Sequence, residues 1–458
     1  YRCRDCHGRR MMCRQCCVTS HTHDPFHRLE VWSADGTYRS GTMGEKDLDF
    51  VLHMGHGGKP CPNAKASSLV IFSDVNGLFP LQVGWCGCGE TAPDKENARW
   101  RQLVRMDYVP ASFSSPQTAF STNLFERMHL ELMEGHASMK SVWEVLRRLT
   151  QPNFPELADN RYVELMRVYR WHRDLVWILE GGGYHEPRLR TVPGGLALFC
   201  TCCPQPGINV FKAGPDDPLW LYRIYVTMDG NFKLEQLFPK NGDVDVRLRD
   251  DQGFLVGIDK YMEFLSRTRD WRSTCNAFYN QDHADVPVDH LMWRGLVSLA
   301  CARHGCFFPN ASMNIQVGEQ YRLVDYGLSQ LFHWVINVLN KADVSDSVKI
   351  KSVTIIYDIM CQYKVKLHER LAKGGLTEPR ELELTYFIGK FHLGGHKEDC
   401  WATYTLDLLL GGGRQDGEVL ETLWSGLNKS KSTVRAMAGA FRQEFLDDLI
   451  QDSNWKKL

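Results

Sequence analysis

The sequence has almost no net charge: 54 Lys and Arg stand against 55 Asp and Glu, leaving −1. A whole-chain basic balance therefore gives no ground for nucleic-acid binding, and any such contact has to come from local patches. No stretch approaches the roughly 18 apolar residues a membrane helix needs. No internal repeat or low-complexity tract is visible. With 43% hydrophobic and 24% charged residues, a mostly disordered chain is excluded. The chain opens on Tyr1 with no charged-then-apolar leader, and reads as a fragment in which targeting signals cannot be judged. At roughly 100–200 residues per domain, its 458 residues imply two to four domains.

What is plentiful is cysteine, 16 in all, clustered at the N-terminus, at 61–88 and at 200–203, with singles at 275, 301, 306, 361 and 400. Disulfide frameworks belong to short secreted chains, whereas these pairs sit beside histidines in a long one. Metal binding in a reducing compartment is the better reading. Cys3-x2-Cys6 and Cys13-x2-Cys16 are followed by His21 and His27, thiolates and imidazoles at tetrahedral zinc spacing. In a cross-braced finger Cys3 and Cys6 would share one zinc with His21 and His27, and Cys13 and Cys16 would need a pair upstream of Tyr1. Arg2, Arg4, Arg9, Arg10 and Arg14 surround these ligands with only Asp5 opposing, which suits either a DNA contact or a solvated structural knob.

His56 and Cys61 precede an apolar run, Leu69–Phe72, then the turn Asp74-Val75-Asn76-Gly77, then the return Leu78–Trp85. Cys86-x-Cys88 closes this expected hairpin, so four ligands meet at its base unless the cysteines are simply buried. From about 114 to 183 the pattern is helical, with Tyr162, Leu165, Met166, Tyr169, Leu175, Val176 and Leu179 forming a core stripe that Gly181-Gly182-Gly183 ends. The Pro- and Gly-rich connector 184–218 holds Cys200-x2-Cys203, and Cys301-x2-His304 can complete a long-range zinc staple with it; two unrelated buried pairs are the alternative.

Leu221–Asp229 alternates with period two and reads as a strand ending on Asp229, with Phe232–Phe238 as its return. Leu328 through Leu339 carries a helix stripe. Val353–Tyr357 is a second strand, ending on Asp358, and Cys361–Leu371 reads as a helix. Asp416-Gly417-Glu418-x2-Glu421-x2-Trp424 opens another, with Glu418 and Glu421 three apart and able to share a face. Ligand sites in open α/β sheets form at strand C-terminal ends. Two aspartates and a glutamate brought together suit Mg²⁺ or Mn²⁺ and the chemistry of in-line phosphoryl displacement. Strand-terminal acids are also common as caps and solvated charges.

The segments Cys200–Asn209, Met228-Asp229-Gly230-Asn231-Phe232-Lys233-Leu234, Cys301-Ala302-Arg303-His304, Gly318-Glu319-Gln320-Tyr321 and Tyr357-Asp358-Ile359-Met360-Cys361-Gln362 resemble motifs of the KDZ (Kyakuja–Dileera–Zisupton) transposases. So do Lys390-Phe391-His392-Leu393, Gly413–Trp424 and Asn454-Trp455-Lys456-Lys457, in the expected order over nearly the whole chain. The N-terminal cluster resembles the CxC-type cysteine-cluster domain that accompanies these transposases. The resemblance implies an α+β or α/β chain in three parts: a zinc-binding region over 1–95, a helical linking domain over 96–199, and an RNase H-like DDE core over 200–458 with an insertion about 240–345. It implies Asp229 and Asp358 as catalytic acids, with Glu421 as the third and Glu418 as runner-up. Catalytic Mg²⁺ or Mn²⁺ and structural Zn²⁺ follow from it, as do DNA as the partner, the nucleus as location, a homo-oligomer as an option and no membrane. His392 and His396 contact the scissile phosphate or pack the strand–helix connection. The family pattern is broken at Gly394, at Thr422 and at Ile450–Trp455. The rival readings are a transposon-derived zinc-containing DNA- or chromatin-binding protein without activity and, last, a zinc-dependent hydrolase.

Overall fold

The computed structural model describes residues 1–88, 98–214, 216–239, 246–269, 290–341 and 343–458. They form two compact units, Tyr1–Val176 and Trp177–Leu458, where the sequence suggested boundaries after 95 and 199. Among the described residues no helix is long and apolar enough to cross a membrane.

The first unit begins with a three-stranded sheet of β1 (Arg2–Cys3), β2 (Leu29–Trp32) and β3 (Tyr38–Gly41). A second sheet follows from β4 (Val51–His53), β5 (Ser68–Asp74), β6 (Gly77–Gly84), β7 (Tyr108–Pro110) and β8 (Thr118–Ser121), in the order β4-β6-β5-β8-β7. The expected hairpin is present as β5 and β6, with Phe72 opposite Phe79. Val70, Phe72, Phe79, Leu81 and Val83 are buried, and Trp85 caps the end of the same core. The tight turn is possible because Gly77 adopts a φ of +151°. The stretch expected to be helical from 114 instead starts with β8. Helices occupy Thr122–Met133, Met139–Thr150 and Tyr162–Glu180. Ser121 caps the first by accepting from Leu124 N, and Ser138 with Ser141 forms a capping box on the second.

The second unit is built on a mixed sheet of β9 (Ile224–Asn231), β12 (Gly295–Cys301), β13 (Phe307–Ile315), β14 (Ser352–Ile356) and β15 (Glu383–Phe387), ordered β13-β12-β9-β14-β15. A two-residue strand β10 (Gln236–Leu237) pairs with β11 (Leu291–Trp293). So the expected return strand 232–238 shrinks to two residues, and β9 pairs with β12 instead, antiparallel, with Ser298 opposite Asp229. On its other side β9 runs parallel to β14, which runs parallel to β15. The span about 240–345, expected as an insertion, therefore supplies two strands of the central sheet. Residues 240–245, 270–289 and 342, and Cys275 with them, lie outside the described residues.

β12 and β13 are buried along their whole length, and their polar residues are paired there: Ser298 Oγ donates to Ser312 Oγ at 2.8 Å. The helix Tyr321–His333 packs on them, continued by a π turn over Trp334–Leu339. The expected helix 361–371 is two pieces, Met360–Tyr363 and Leu367–Gly374, broken at Lys366, whose φ is +65°. The C-terminal helix Gly439–Trp455 is buried on most of its surface, polar residues included. Arg442 donates to Asn314 Oδ1 and Leu234 O, and Asn454 exchanges bonds with the Phe307 backbone while donating to Leu198 O. These polar groups are buried in pairs, which removes most of the cost of dehydrating them.

Candidate functional site

The adjacent parallel strands β9 and β14 place their acids side by side. Asp229 lies within β9, paired through Asn231, and Asp358 follows β14 by two residues. Opposite them the helix Val419–Leu427 starts directly after Glu418. Its position is set by two contacts: Thr227 Oγ1 donates to Gly417 O at 2.8 Å, and Gly417, at φ +82°, leaves so little room that a Cβ would lie 2.8 Å from Ile356. The short helix Lys390–Leu393 closes the group from β15. Its Lys390 N donates to Asp416 O, and Phe391 N donates to Glu418 Oε1 at 3.1 Å. Gly389 is required here, since a Cβ would sit 2.2 Å from Glu418 Oε1.

His392 Nε2 lies 3.3 Å from Asp358 Oδ2 and 3.3 Å from Glu418 Oε2. One donor atom from each of Asp358, His392 and Glu418 falls within 4.8 Å of the others. Asp229 is held separately: Trp424 Nε1 donates to its Oδ2 at 2.7 Å. Behind them Glu319 accepts from Tyr357 Oη at 2.6 Å, and its other oxygen approaches Gly230 so closely that a Cβ there would be 2.5 Å away. Glu319 belongs to the Gly318-Glu319-Gln320-Tyr321 motif, whose residues by themselves assign it no role. Only its distance from Asp229 in the chain concealed it.

The electrostatics follow from crowding acids in a partly dehydrated place. Burial pushes Asp229 up to about 6, helped by the charge of Glu421 and opposed by the Trp424 N–H. Burial pushes Asp358 up to about 7, with His392 pulling down and Asp229, Glu418 and Glu421 pushing up. Glu319 rises to about 8, again through burial and the two aspartates. The hydrogen bond to Glu418, with the charges of Asp358 and Glu418 behind it, raises His392 to about 9. An imidazolium thus stands between two carboxylates, and the group as a whole favours positive charge. Glu421 sits in the first helical turn, exposed, one turn beyond Glu418. Glu418 precedes the helix, with φ −110° and ψ 19°, so the two glutamates do not both stand on it as expected, although the charges of both act on Asp358.

Three cysteine–histidine groups assemble as the spacing suggested. A zinc ion with bonds of about 2.3 Å to sulfur and about 2.0 Å to nitrogen holds its tetrahedral ligands about 3.5–3.8 Å apart. Cys6 Sγ lies 3.4 Å from both His21 Nε2 and His27 Nδ1, and Cys3 Sγ lies 3.6 Å from His27 Nδ1. Cys61 Sγ is 3.7 Å from Cys86 and 3.6 Å from Cys88, and His56 Nε2 is 3.4 and 3.6 Å from the same pair. Across a hundred residues, Cys203 Sγ is 3.4 Å from Cys301, and His304 Nδ1 is 3.3 Å from both Cys200 and Cys301. All three sets can hold zinc. Cys13 and Cys16 are exposed at the start of the helix Arg14–His21 and belong to none of these groups. A further group, Cys361, His396 and Cys400, was not foreseen.

The family model described as Kyakuja-Dileera-Zisupton transposase matches residues 222–454, the span that holds every acid above. A second, described as CxC2 like cysteine cluster associated with KDZ transposases, matches residues 46–153. That match takes in His56, Cys61, Cys86 and Cys88 and begins after the cluster of Cys3, Cys6, His21 and His27, so the cysteine-cluster resemblance attaches to the second group. No curated protein and no solved structure matches the chain.

Proposed function

The chain belongs to the Kyakuja-Dileera-Zisupton transposase family, and from that premise we propose that residues 222–454 form a DDE-type, metal-dependent core that cuts and joins DNA. The observation that carries the reading is the convergence of Asp358, Glu418 and His392 within 4.8 Å, beside Asp229 on the neighbouring parallel strand. Two aspartates on adjacent strands of a mixed five-stranded sheet also support an RNase H-like fold for it.

The donor set fits a hard divalent cation. Its donors are carboxylate oxygens, and the imidazolium of His392 already lies between two of them, where positive charge is favoured. Asp229, Asp358 and a glutamate would hold Mg²⁺ or Mn²⁺. The sequence favoured Glu421 as that glutamate; the geometry favours Glu418, whose Oε2 shares His392 with Asp358. Such ions, when bound, supply activation of the attacking oxygen and charge stabilisation of the leaving one. The residues themselves hold geometry: Trp424 fixes one oxygen of Asp229, Phe391 N fixes one of Glu418, and Tyr357 fixes Glu319 behind the strand ends. In the reaction, water attacks a phosphodiester phosphorus as the bond to the 3′-oxygen breaks, leaving a 3′-hydroxyl and a 5′-phosphate. That hydroxyl then attacks a second phosphodiester, joining to its phosphorus and expelling its 3′-oxygen.

In the same reading the three four-ligand cysteine–histidine groups are structural zinc sites, DNA is the partner, the nucleus is the site of action, and a homo-oligomer is the assembly to look for. The test is nicking of supercoiled plasmid by the full chain in Mn²⁺, with Asp358→Asn and Asp229→Asn alongside. Metal-dependent nicking that both variants lose supports the reading. Nicking that both retain sinks it. A folded wild-type chain that retards DNA and never cuts it points to the inactive, transposon-derived binding protein.

A further inference from the structure

Cys361, His396 and Cys400 play no part in the chemistry above, yet they meet. Cys361 lies on the short helix Met360–Tyr363, three residues past Asp358. His396 follows the helix that carries His392, and Cys400 lies on the helix Glu398–Tyr404. His396 Nδ1 is 3.4 Å from Cys361 Sγ, and the three donor atoms lie within 4.8 Å of one another. The spacing between ligands in a tetrahedral zinc site is about 3.5–3.8 Å. Trp401 Nε1 donates to His396 O at 3.1 Å, and Cys400 N donates to Lys397 O at 2.8 Å, so the turn that presents His396 and Cys400 is itself held.

Packing alone does not account for this group. Cys301 and Cys203 are buried, whereas Cys361, His396 and Cys400 are all partly exposed, so an ion from solvent can reach them. Two thiolates and an imidazole are soft and borderline donors, the set zinc selects over magnesium. His396-x3-Cys400 also has the short spacing by which one local segment supplies two ligands to a zinc ion, the partner coming from a distant segment.

We propose that Cys361, His396 and Cys400 bind a fourth zinc ion, with solvent at the remaining coordination position. The ion ties the segment leaving Asp358 to the turn leaving His392. It therefore sets the separation of two members of the acidic group without touching DNA. This inference stands apart from the cleavage reading, because zinc can be counted in a chain that cuts nothing.

Native mass spectrometry of the full chain, loaded with zinc and freed of excess, reads the result directly. Cys361→Ser and Cys400→Ser should each carry one zinc fewer than wild type. An unchanged zinc count in both overturns the proposal. A second measurement needs no variant: peptide mapping after alkylation of the wild-type chain. Cys361 and Cys400 should be protected while zinc is bound and labelled once a chelator removes it. Equal labelling of these two thiols in both states overturns the proposal, since their partial exposure gives no other shield.

Discussion

The indole N–H of Trp424 donates to Asp229 Oδ2 at 2.7 Å, linking a helix and a strand 195 residues apart in the chain. The bond holds one carboxylate oxygen of Asp229 and opposes the rise that burial imposes on it. The Glu-x2-Trp spacing seen in the sequence thus does two things: Glu421 adds negative charge near Asp229, and Trp424 aims it.

Trp424→Phe keeps a ring against Phe307 and removes the donor. Plasmid nicking should then require more Mn²⁺, with the apparent metal affinity or rate falling about 10–100-fold, as for other residues that orient a metal ligand. A titration of nicking rate against Mn²⁺ checks this. An unchanged curve would mean that the bond is structural only.

Gly389→Ala drives a methyl to within 2.2 Å of Glu418 Oε1. The backbone there is not of the left-handed kind, so the effect is steric and local. Displacing Glu418 by about 1 Å should cost about 10²-fold in nicking rate, with the far-ultraviolet circular dichroism spectrum of the wild type retained.

Removing zinc from Cys200, Cys203, Cys301 and His304 should loosen the second unit, because these residues tie the connector to the end of β12. A site bound at 1,000 times its dissociation constant stabilises by about 4 kcal/mol. Cys301→Ser should therefore lower the denaturant midpoint of that unit markedly, and added zinc should not restore it. The midpoint of the wild type should fall in the same direction on chelation.

Asp447 gives the pH prediction. Its Oδ1 accepts from Phe254 N and Leu255 N, and burial pushes its pKa from 3.8 up to about 7. The folded chain holds this proton more tightly than the unfolded chain. The stabilising contribution is complete below pH 3.8 and is lost as pH rises through about 7. Asp447→Asn cannot titrate, so the stability of wild type relative to this variant should fall between about pH 4 and pH 7, by at most about 4 kcal/mol. Paired urea unfolding curves at the two pH values measure it.

Local chemistry was legible before the structure. The hairpin β5–β6 follows from two apolar runs around the turn Asp74-Val75-Asn76-Gly77, and the cysteine pairs announce three zinc-type groups through their x2 or x1 spacing. The two strands that carry the aspartates were found to within three residues at each end. What failed was non-local. β9 pairs with β12, more than sixty residues on, rather than with the segment next to it, because strand pairing is decided by burial on both faces. In the group of Cys361, His396 and Cys400, the His396-x3-Cys400 pair is local but its third member, Cys361, lies 35 positions away and shares no spacing with it. The placing of Glu418 before its helix rests on Gly417, whose left-handed backbone no periodicity reveals.

The C-terminal helix Gly439–Trp455 has one more consequence, which concerns time. It supplies the partners of Leu234, Phe307 and Asn314, which precede it by more than a hundred residues. During synthesis the chain emerges from its N-terminus, so β9, β12 and β13 all leave the ribosome before the helix that completes their burial. A nascent chain that stops short of residue 439 lacks these partners for β13 and for the segment after β9. A stalled product would leave part of the buried sheet open to chaperones and proteases until the helix arrives.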